Sequence, residues 1–240
     1  MNGIRFAKAV LHRLGMLYVR MLCKREFRSQ HFSNINERPV EYEFLFRQLT
    51  KKFPRTVLDV GSGLTALPHV MSSCGFVVTA VDNIRDYWDH DAINRHFYII
   101  NDDITNTRLT ERFDFISCIS VLEHIKNYNS AVKSMFSLLN PGGHLVLTFP
   151  YNEKNYTENV YKLPGSSVKE DYSFITQAYS RKELDMWMSE NDGKILEQEY
   201  WRFYTGEFWT LGEMVSPPVQ VNNHEAHQIS CVLIQKEQRQ

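Results

Sequence analysis

Thr56-Val57-Leu58-Asp59-Val60-Gly61-Ser62-Gly63 is the stretch that decides the fold. Its first five residues are mostly β-branched or apolar, the composition of a short buried strand. The glycines mark a tight turn, and 66–74 then reads as a helix. Where a strand runs through glycine into a helix, the first N–H groups of the helix lack partners and offer a site for a polar ligand. A side chain at Gly61 would stand between such a ligand and the backbone, which is the reading of that glycine here. Leu64-Thr65-Ala66 follows Gly63, so the G-x-G-x-x-G dinucleotide fingerprint is not met.

Downstream, 76–81 is a second strand that ends at Asp82. A third, 97–100, ends near Asp102-Asp103, and a fourth covers 113–119. A helix over 129–139 is broken by Asn140-Pro141-Gly142-Gly143, and 144–149 is a fifth strand. Short buried-type strands alternating with helices mean βαβ units and a parallel sheet. After Pro150 the regularity lapses into a polar, aromatic segment, 151–178. A helix over 180–190 follows, with Ser180 and Glu183 spaced as a capping box, then strands over 194–204 and 228–235. Upstream, 40–52 reads as a helix ended by Phe53-Pro54. In 1–22, Ile4, Ala7, Leu11, Leu14, Tyr18, Met21 and Leu22 form a helical stripe with Arg5, Lys8, Arg13 and Arg20 mostly off it.

The strand ends carry the chemistry. Asp82 lies about twenty residues after the glycine turn, where a carboxylate accepts from both ribose hydroxyls of an adenosine. Asp103 can accept from the adenine amino group while Ile104 packs on the ring. Any one aspartate at a strand end is commonly only a turn or helix cap. Carboxylates in successive βα turns are harder to obtain by chance.

Together these residues resemble the class I S-adenosylmethionine-dependent methyltransferases. Val57 to Gly63 is similar to the first motif of that family, Val81-Asp82 to its ribose-binding strand end, and Asp102-Asp103-Ile104 to its adenine motif. Phe113 to His124 resembles the fourth motif, and Leu139 to Leu147 the helix–turn–strand after it. The resemblance covers 56–150 and departs at Thr65, where a third glycine is usual. It implies a Rossmann-like α/β fold: a seven-stranded, mostly parallel sheet with one antiparallel strand and helices on both faces. The implied cofactor is S-adenosyl-L-methionine, held by Asp59, Gly61, Ser62, Gly63, Asp82, Asn83, Asp103, Ile104 and Ser120. Leu122-Glu123-His124 is similar to the small-molecule O-methyltransferase branch, which makes His124 the candidate general base, with Glu123 beside it. Some of those relatives carry a further acid where Ser120 stands, so no metal is expected.

The expected organisation is a helical segment over 1–52 packing on a methyltransferase domain over 53–240, with 151–178 as a lid or acceptor insertion. The acceptor is expected to be a small molecule or glycan, methylated at oxygen. Aromatic residues bearing hydroxyls, such as Tyr156, Tyr161 and Tyr172, suit a sugar or a phenol equally. His224 and His227 read as a solvated or acceptor-side loop. The alternatives are a non-catalytic cofactor-binding module and another nucleotide-dependent α/β enzyme.

The chain has 240 residues, 43% hydrophobic and 23% charged, with a formal net charge of −1. That balance supplies no global field for nucleic acid. The amino-methyltransferase motif of DNA- and RNA-modifying relatives is replaced by Ser120-Val121-Leu122-Glu123. The four cysteines are scattered, with no CxxC pair, which points to reduced thiols in the cytoplasm. Arg13 and Arg20 interrupt the N-terminal apolar pattern, against a signal peptide or membrane span. A weak membrane-surface contact through 1–28 stays open, as does the oligomeric state.

Overall fold

The computed structural model describes residues 2–30, 36–84, 94–170, 172 and 174–238. The helices are α1 (Asn2–Ser29), α2 (Arg38–Lys52), α3 (Leu67–Ser73), α4 (Tyr128–Leu138) and α5 (Arg181–Asn191). The strands are β1 (Thr56–Val60), β2 (Val77–Asp82), β3 (Ile100–Asn101), β4 (Phe113–Ile119), β5 (Leu139–Pro150), β6 (Gly193–Tyr204), β7 (Met214–Val221) and β8 (Ile229–Lys236). Contacts divide the chain into two compact units, 1–35 with α1 and 36–240 with everything else, so α2 belongs to the body that holds the sheet.

One sheet runs in the order β3-β2-β1-β4-β5-β8-β6-β7. β1 to β5 pair in parallel, and β8 enters antiparallel between β5 and β6. This is the α/β architecture expected, with a correction: the sheet has eight strands, not seven. The extra strand, β7, pairs antiparallel with β6 at the sheet's edge. Pro217 and Pro218 disguise it, because proline donates nothing to a ladder and argues against a strand. At an edge the ladder tolerates them, and the β6–β7 register shifts between Arg202 and Tyr204, opposite the two prolines.

Alternation along each strand sorts side chains onto two faces. Leu58, Ile116, Leu147 and Val232 pack with Ala131 and Met135 of α4 and Leu184 and Trp187 of α5. Their chain neighbours Val57, Phe115, Val146 and Leu233 pack on the other face with Phe44, Leu45 and Leu49 of α2 and Met71 of α3. Both layers are needed because a parallel sheet exposes apolar residues on both sides. α5 starts at a capping box: Ser180 and Glu183 satisfy each other's backbone. β5 begins at Leu139, five positions before the expected start, because Leu139 pairs with Phe113 across a bulge. Cys118 and Cys231 are buried in the sheet, while Cys23 and Cys74 are exposed thiols.

Candidate functional site

The carboxyl ends of β1, β2 and β4 converge where the parallel order puts neighbouring strand ends side by side. Gly61 and Gly63 both hold positive φ, 75° and 52°. The Gly61 N–H donates to Val81 O at 2.8 Å, which ties the turn to the end of β2. Gly63 N–H donates to Asp82 Oδ2 at 2.6 Å, so the expected ribose-binding carboxylate is oriented against the turn. Asn94 clamps the same loop, its Nδ2 donating to Gly63 O and Thr65 O at 2.8 and 2.9 Å. Nothing in the motif around Gly61 marks Asn94.

Asp59 is buried and accepts from Ser62 Oγ and Ser117 Oγ, both at 2.7 Å. Burial pushes its carboxyl up to about 6, against those two hydrogen bonds. Asp59 and Ser62 are thus an internal brace of the turn. Asn83 directly follows β2 and is half-buried.

A second constraint acts on Gly61. A Cβ there would run into the Val121 side chain, 2.9 Å from its Cβ and closer to its methyls. Val121, after β4, packs directly over the turn and by itself leaves no room for a side chain at Gly61.

The third strand end is split between two aspartates. Asp103 is exposed, and its Oδ1 accepts from Thr105 N and Oγ1 at 2.8 Å, capping the turn Ile104–Asn106. Asp102 is buried and accepts from Arg108 N and Nε at 3.0 and 3.1 Å and from Thr107. Burial opposes the charge of Asp102, but these donors outweigh it and hold the carboxyl below its ordinary value. Ile104 is buried in the core layer beside them.

Ser120 follows β4 in a left-handed conformation, φ 48°. Its N–H donates to Thr148 O at 3.1 Å, and its Oγ donates to Glu41 of α2. Glu41 is fully buried and pairs with Arg38, whose Nη1 lies 3.0 Å from Glu41 Oε2 and 3.1 Å from Ile119 O. Burial works against the Arg38 charge, but Glu41 and Glu37 outweigh it and the guanidinium stays cationic. Sequence reading passed over this cluster. The one signal for it is an Arg and a Glu three apart in the first turn of a helix.

Glu123 and His124 sit in the short turn Leu122–His124. Glu123 is buried, and its Oε2 has no partner among the described residues. Burial drives its carboxyl well above the ordinary range, which favours the protonated, hydrogen-bond-donating form over the carboxylate. His124 Nδ1 lies 2.8 Å from Ile175 O. A carbonyl only accepts, so Nδ1 carries the proton and Nε2 is the basic nitrogen of the neutral ring. Burial lowers the His124 pKa below 6.5. His124 Nε2 lies 3.9 Å from Glu123 Oε1. Orientation of the imidazole therefore comes from Ile175, a residue with no distinguishing mark in the sequence.

The segment after β5 is tied to this turn. Gln177 N donates to Glu123 O at 2.9 Å, Gln177 Nε2 to Ile125 O at 2.9 Å, and Tyr179 Oη to Leu122 O at 2.7 Å. Phe174 meets His124 edge-on at 5.0 Å, Tyr172 stacks on Phe174 at 4.9 Å, and Tyr161 lies 5.5 Å from Tyr172. This aromatic row borders a cavity of about 160 Å³ with Asn159, Lys162 and Glu170 on its rim. His227 is buried, stacked 5.7 Å from Tyr151, so it is no part of a solvated loop. Phe203 and Tyr204 pack with Trp209 in the second core layer.

The fold and these strand ends define an α/β domain built to hold a nucleotide-like ligand at the carboxyl edge of its sheet. A family model described as a methyltransferase domain matches residues 31–198, and the chain belongs to that family. It is 28% identical over 135 residues to a ubiquinone biosynthesis O-methyltransferase of Coxiella burnetii, a match covering 53% of this chain and 56% of that one. The chain thus spans little more than half the length of that relative. A ubiquinone biosynthesis O-methyltransferase of Glaesserella parasuis is 28% identical over 204 residues, 77% of this chain and 83% of the other. The fold is similar to that of the Burkholderia thailandensis 1,6-didemethyltoxoflavin-N1-methyltransferase, solved with S-adenosylhomocysteine. That structure is 13% identical with a TM-score of 0.54, over 97% of this chain and 90% of the other.

Proposed function

We propose that this chain moves a methyl group from S-adenosylmethionine to an oxygen of a small-molecule acceptor. The observation that carries the reading is the pairing of a braced glycine turn, with Asp82 against it, and a neutral histidine held in a single tautomer. The side chains available fit the cofactor. Asp82 and Asp103 offer acceptors to hydroxyl and amino donors, Ile104 supplies an apolar neighbour, and Arg38 provides positive charge for a carboxylate. Ser120 acts through Glu41, keeping the α2 start against the end of β4.

When bound, the cofactor supplies an already activated methyl on a sulfonium. What remains for the protein is alignment, exclusion of water and removal of one proton. His124 Nε2 takes the proton of the acceptor hydroxyl as the oxygen–carbon bond forms and the sulfur–carbon bond breaks. Ile175 fixes that nitrogen's direction, and Glu123, as a neutral acid, donates a hydrogen bond to an acceptor oxygen. The names of the two curated relatives support oxygen as the methylated atom. The aromatic row beyond His124, with its polar rim, suits a ring-shaped acceptor, either a sugar or a phenol. On this reading 151–178 is the acceptor-covering segment, and the catalytic body extends over 36–240. The exposed Cys23 and Cys74 thiols fit a reducing, cytoplasmic compartment.

Titration calorimetry tests the cofactor. S-adenosylmethionine and S-adenosylhomocysteine are expected to bind at micromolar affinity and NADH not at all. Absence of heat from both at millimolar concentration would overturn the reading. A heat from NADH alone would move the chain to the dehydrogenases.

A further inference from the structure

We propose that residues 4–22 of α1 form an interfacial helix that lies flat on an anionic lipid surface. The helical period of 3.6 places Ile4, Phe6, Leu11, Leu14, Leu17 and Met21 on one continuous sector. Arg5, Lys8, Arg13 and Arg20 all fall outside that sector, with Arg13 and Arg20 flanking its Phe6 edge. The apolar sector stands in the open: Phe6 is 74% exposed and Leu11 68%. Nineteen residues of helix make a strip about 28 Å long, far more contiguous apolar surface than scattered single residues present.

Two observations select lipid over protein as the occupant. First, the polar side carries one sign. No acid precedes Glu26 in the helix, while Lys24, Arg25 and Arg28 add positive charge in the turns beyond residue 22. The whole chain balances 27 basic against 28 acidic residues, so the remainder is left with an acidic excess and the positive charge is concentrated in α1. Second, α2 shows what a helix packed on protein looks like in the same chain. It mixes signs and closes them into pairs, Arg38 with Glu41 and Arg47 with Glu43 and Glu199. Residues 4–22 of α1 carry four cations and no acidic residue, the pattern that anionic headgroups neutralise. Tyr18, on the apolar sector, has the amphipathic ring favoured at the headgroup boundary. The helix lies on the surface and does not cross it: no described helix is long and apolar enough to span a membrane.

This inference is independent of the methyl-transfer reading and is tested without it. The full chain is sedimented with phosphatidylcholine vesicles, with and without phosphatidylglycerol, from about 0.05 to 0.5 M salt. Binding is expected only with phosphatidylglycerol and should weaken as salt rises. Each cation contributes about fivefold in partition, so Arg5→Gln, Lys8→Gln, Arg13→Gln and Arg20→Gln together should lower binding by several hundredfold. Leu11→Ser, Leu14→Ser and Leu17→Ser together, which keep the charge, should lower it at least tenfold. Thermal melts check that the body is intact in each variant. The proposal is overturned if the parent chain ignores phosphatidylglycerol, or if the fourfold charge variant binds as well as the parent. A defined dimer in light scattering, lost in the serine variant and accompanied by no vesicle binding, overturns it in favour of a second copy of the chain.

Discussion

The two halves of the candidate site are built differently. On the cofactor side, part of the bracing is local, with Ser62 reaching Asp59 three positions away and Gly63 meeting Asp82 nineteen positions on, and only Ser117 and Val121 reach the turn from about sixty positions away. On the acceptor side every fixing contact spans the chain: His124 meets Ile175 across 51 positions, and Leu122 meets Tyr179 across 57. The cofactor side depends in large part on turn chemistry, which residue types specify locally. The acceptor side depends on 174–179 folding back onto the turn after β4, which no local rule dictates. Substitutions on the first side should therefore act on binding or folding, and those on the second on rate.

The largest effect is expected at His124. His124→Ala should cut methyl transfer by roughly 10²–10⁴ while calorimetric affinity for the cofactor stays near that of the parent. A rate within a few-fold of the parent would remove His124 as the base. The same role fixes a pH profile. Only the neutral ring accepts a proton, and burial places its pKa below 6.5. The rate should be flat at pH 7 and above and fall on acidification through a midpoint below 6.5. A falling limb centred above pH 7 would contradict the burial argument.

Gly61→Val breaks the cofactor side through folding. The new side chain meets Val121, and φ 75° is unfavourable for a β-branched residue. Overpacking and left-handed strain together cost about 2–5 kcal/mol, to be read as a lowered melting temperature. Adding Val121→Ala should recover part of that loss, a non-additivity expected of touching residues. If Gly61→Val melts like the parent and only binding is lost, the glycine faces the ligand after all.

Asp82→Ala sharpens the comparison. Loss of charge-assisted hydrogen bonds costs roughly 1.5–3 kcal/mol, about tenfold to over a hundredfold in affinity. The fold should persist, since Asp59, Ser62 and Asn94 also hold the turn. Unchanged affinity would place the ribose elsewhere.

The smallest effect is expected at Glu123→Gln. With its folded pKa raised, Glu123 favours the folded state only below the unfolded value of 4.5, and that contribution is lost as pH rises through the folded pKa. At neutral pH the amide removes this penalty and remains a donor. Stability there should rise slightly or stay level, and the rate should remain within a few-fold of the parent. A large loss of rate in the glutamine variant would show that the ionised carboxylate is required.

The fold was legible wherever periodicity and turn chemistry are local. The parallel strands, the capping box at Ser180 and Glu183, and the carboxylates at the strand ends were read from residue type and spacing. β7 was missed because two prolines contradict the strand rule, and only an edge position with a register shift reconciles them. Gly61 reads as making room for a ligand, and a sequence does not reveal that Val121, sixty positions later, also lies on top of it.

The sequence by itself determined the strand–glycine–helix turn, the acids at successive strand ends and the two-faced apolar pattern of the sheet. Each follows from backbone conformation and hydrophobic period, which act over a few residues. Only the tertiary structure decided that burial pushes the Glu123 carboxyl upward, that Ile175 sets the histidine's tautomer, and that Arg38 and Glu41 reach the end of β4. Those outcomes depend on desolvation and on contacts between distant segments, and both exist only once the chain has packed.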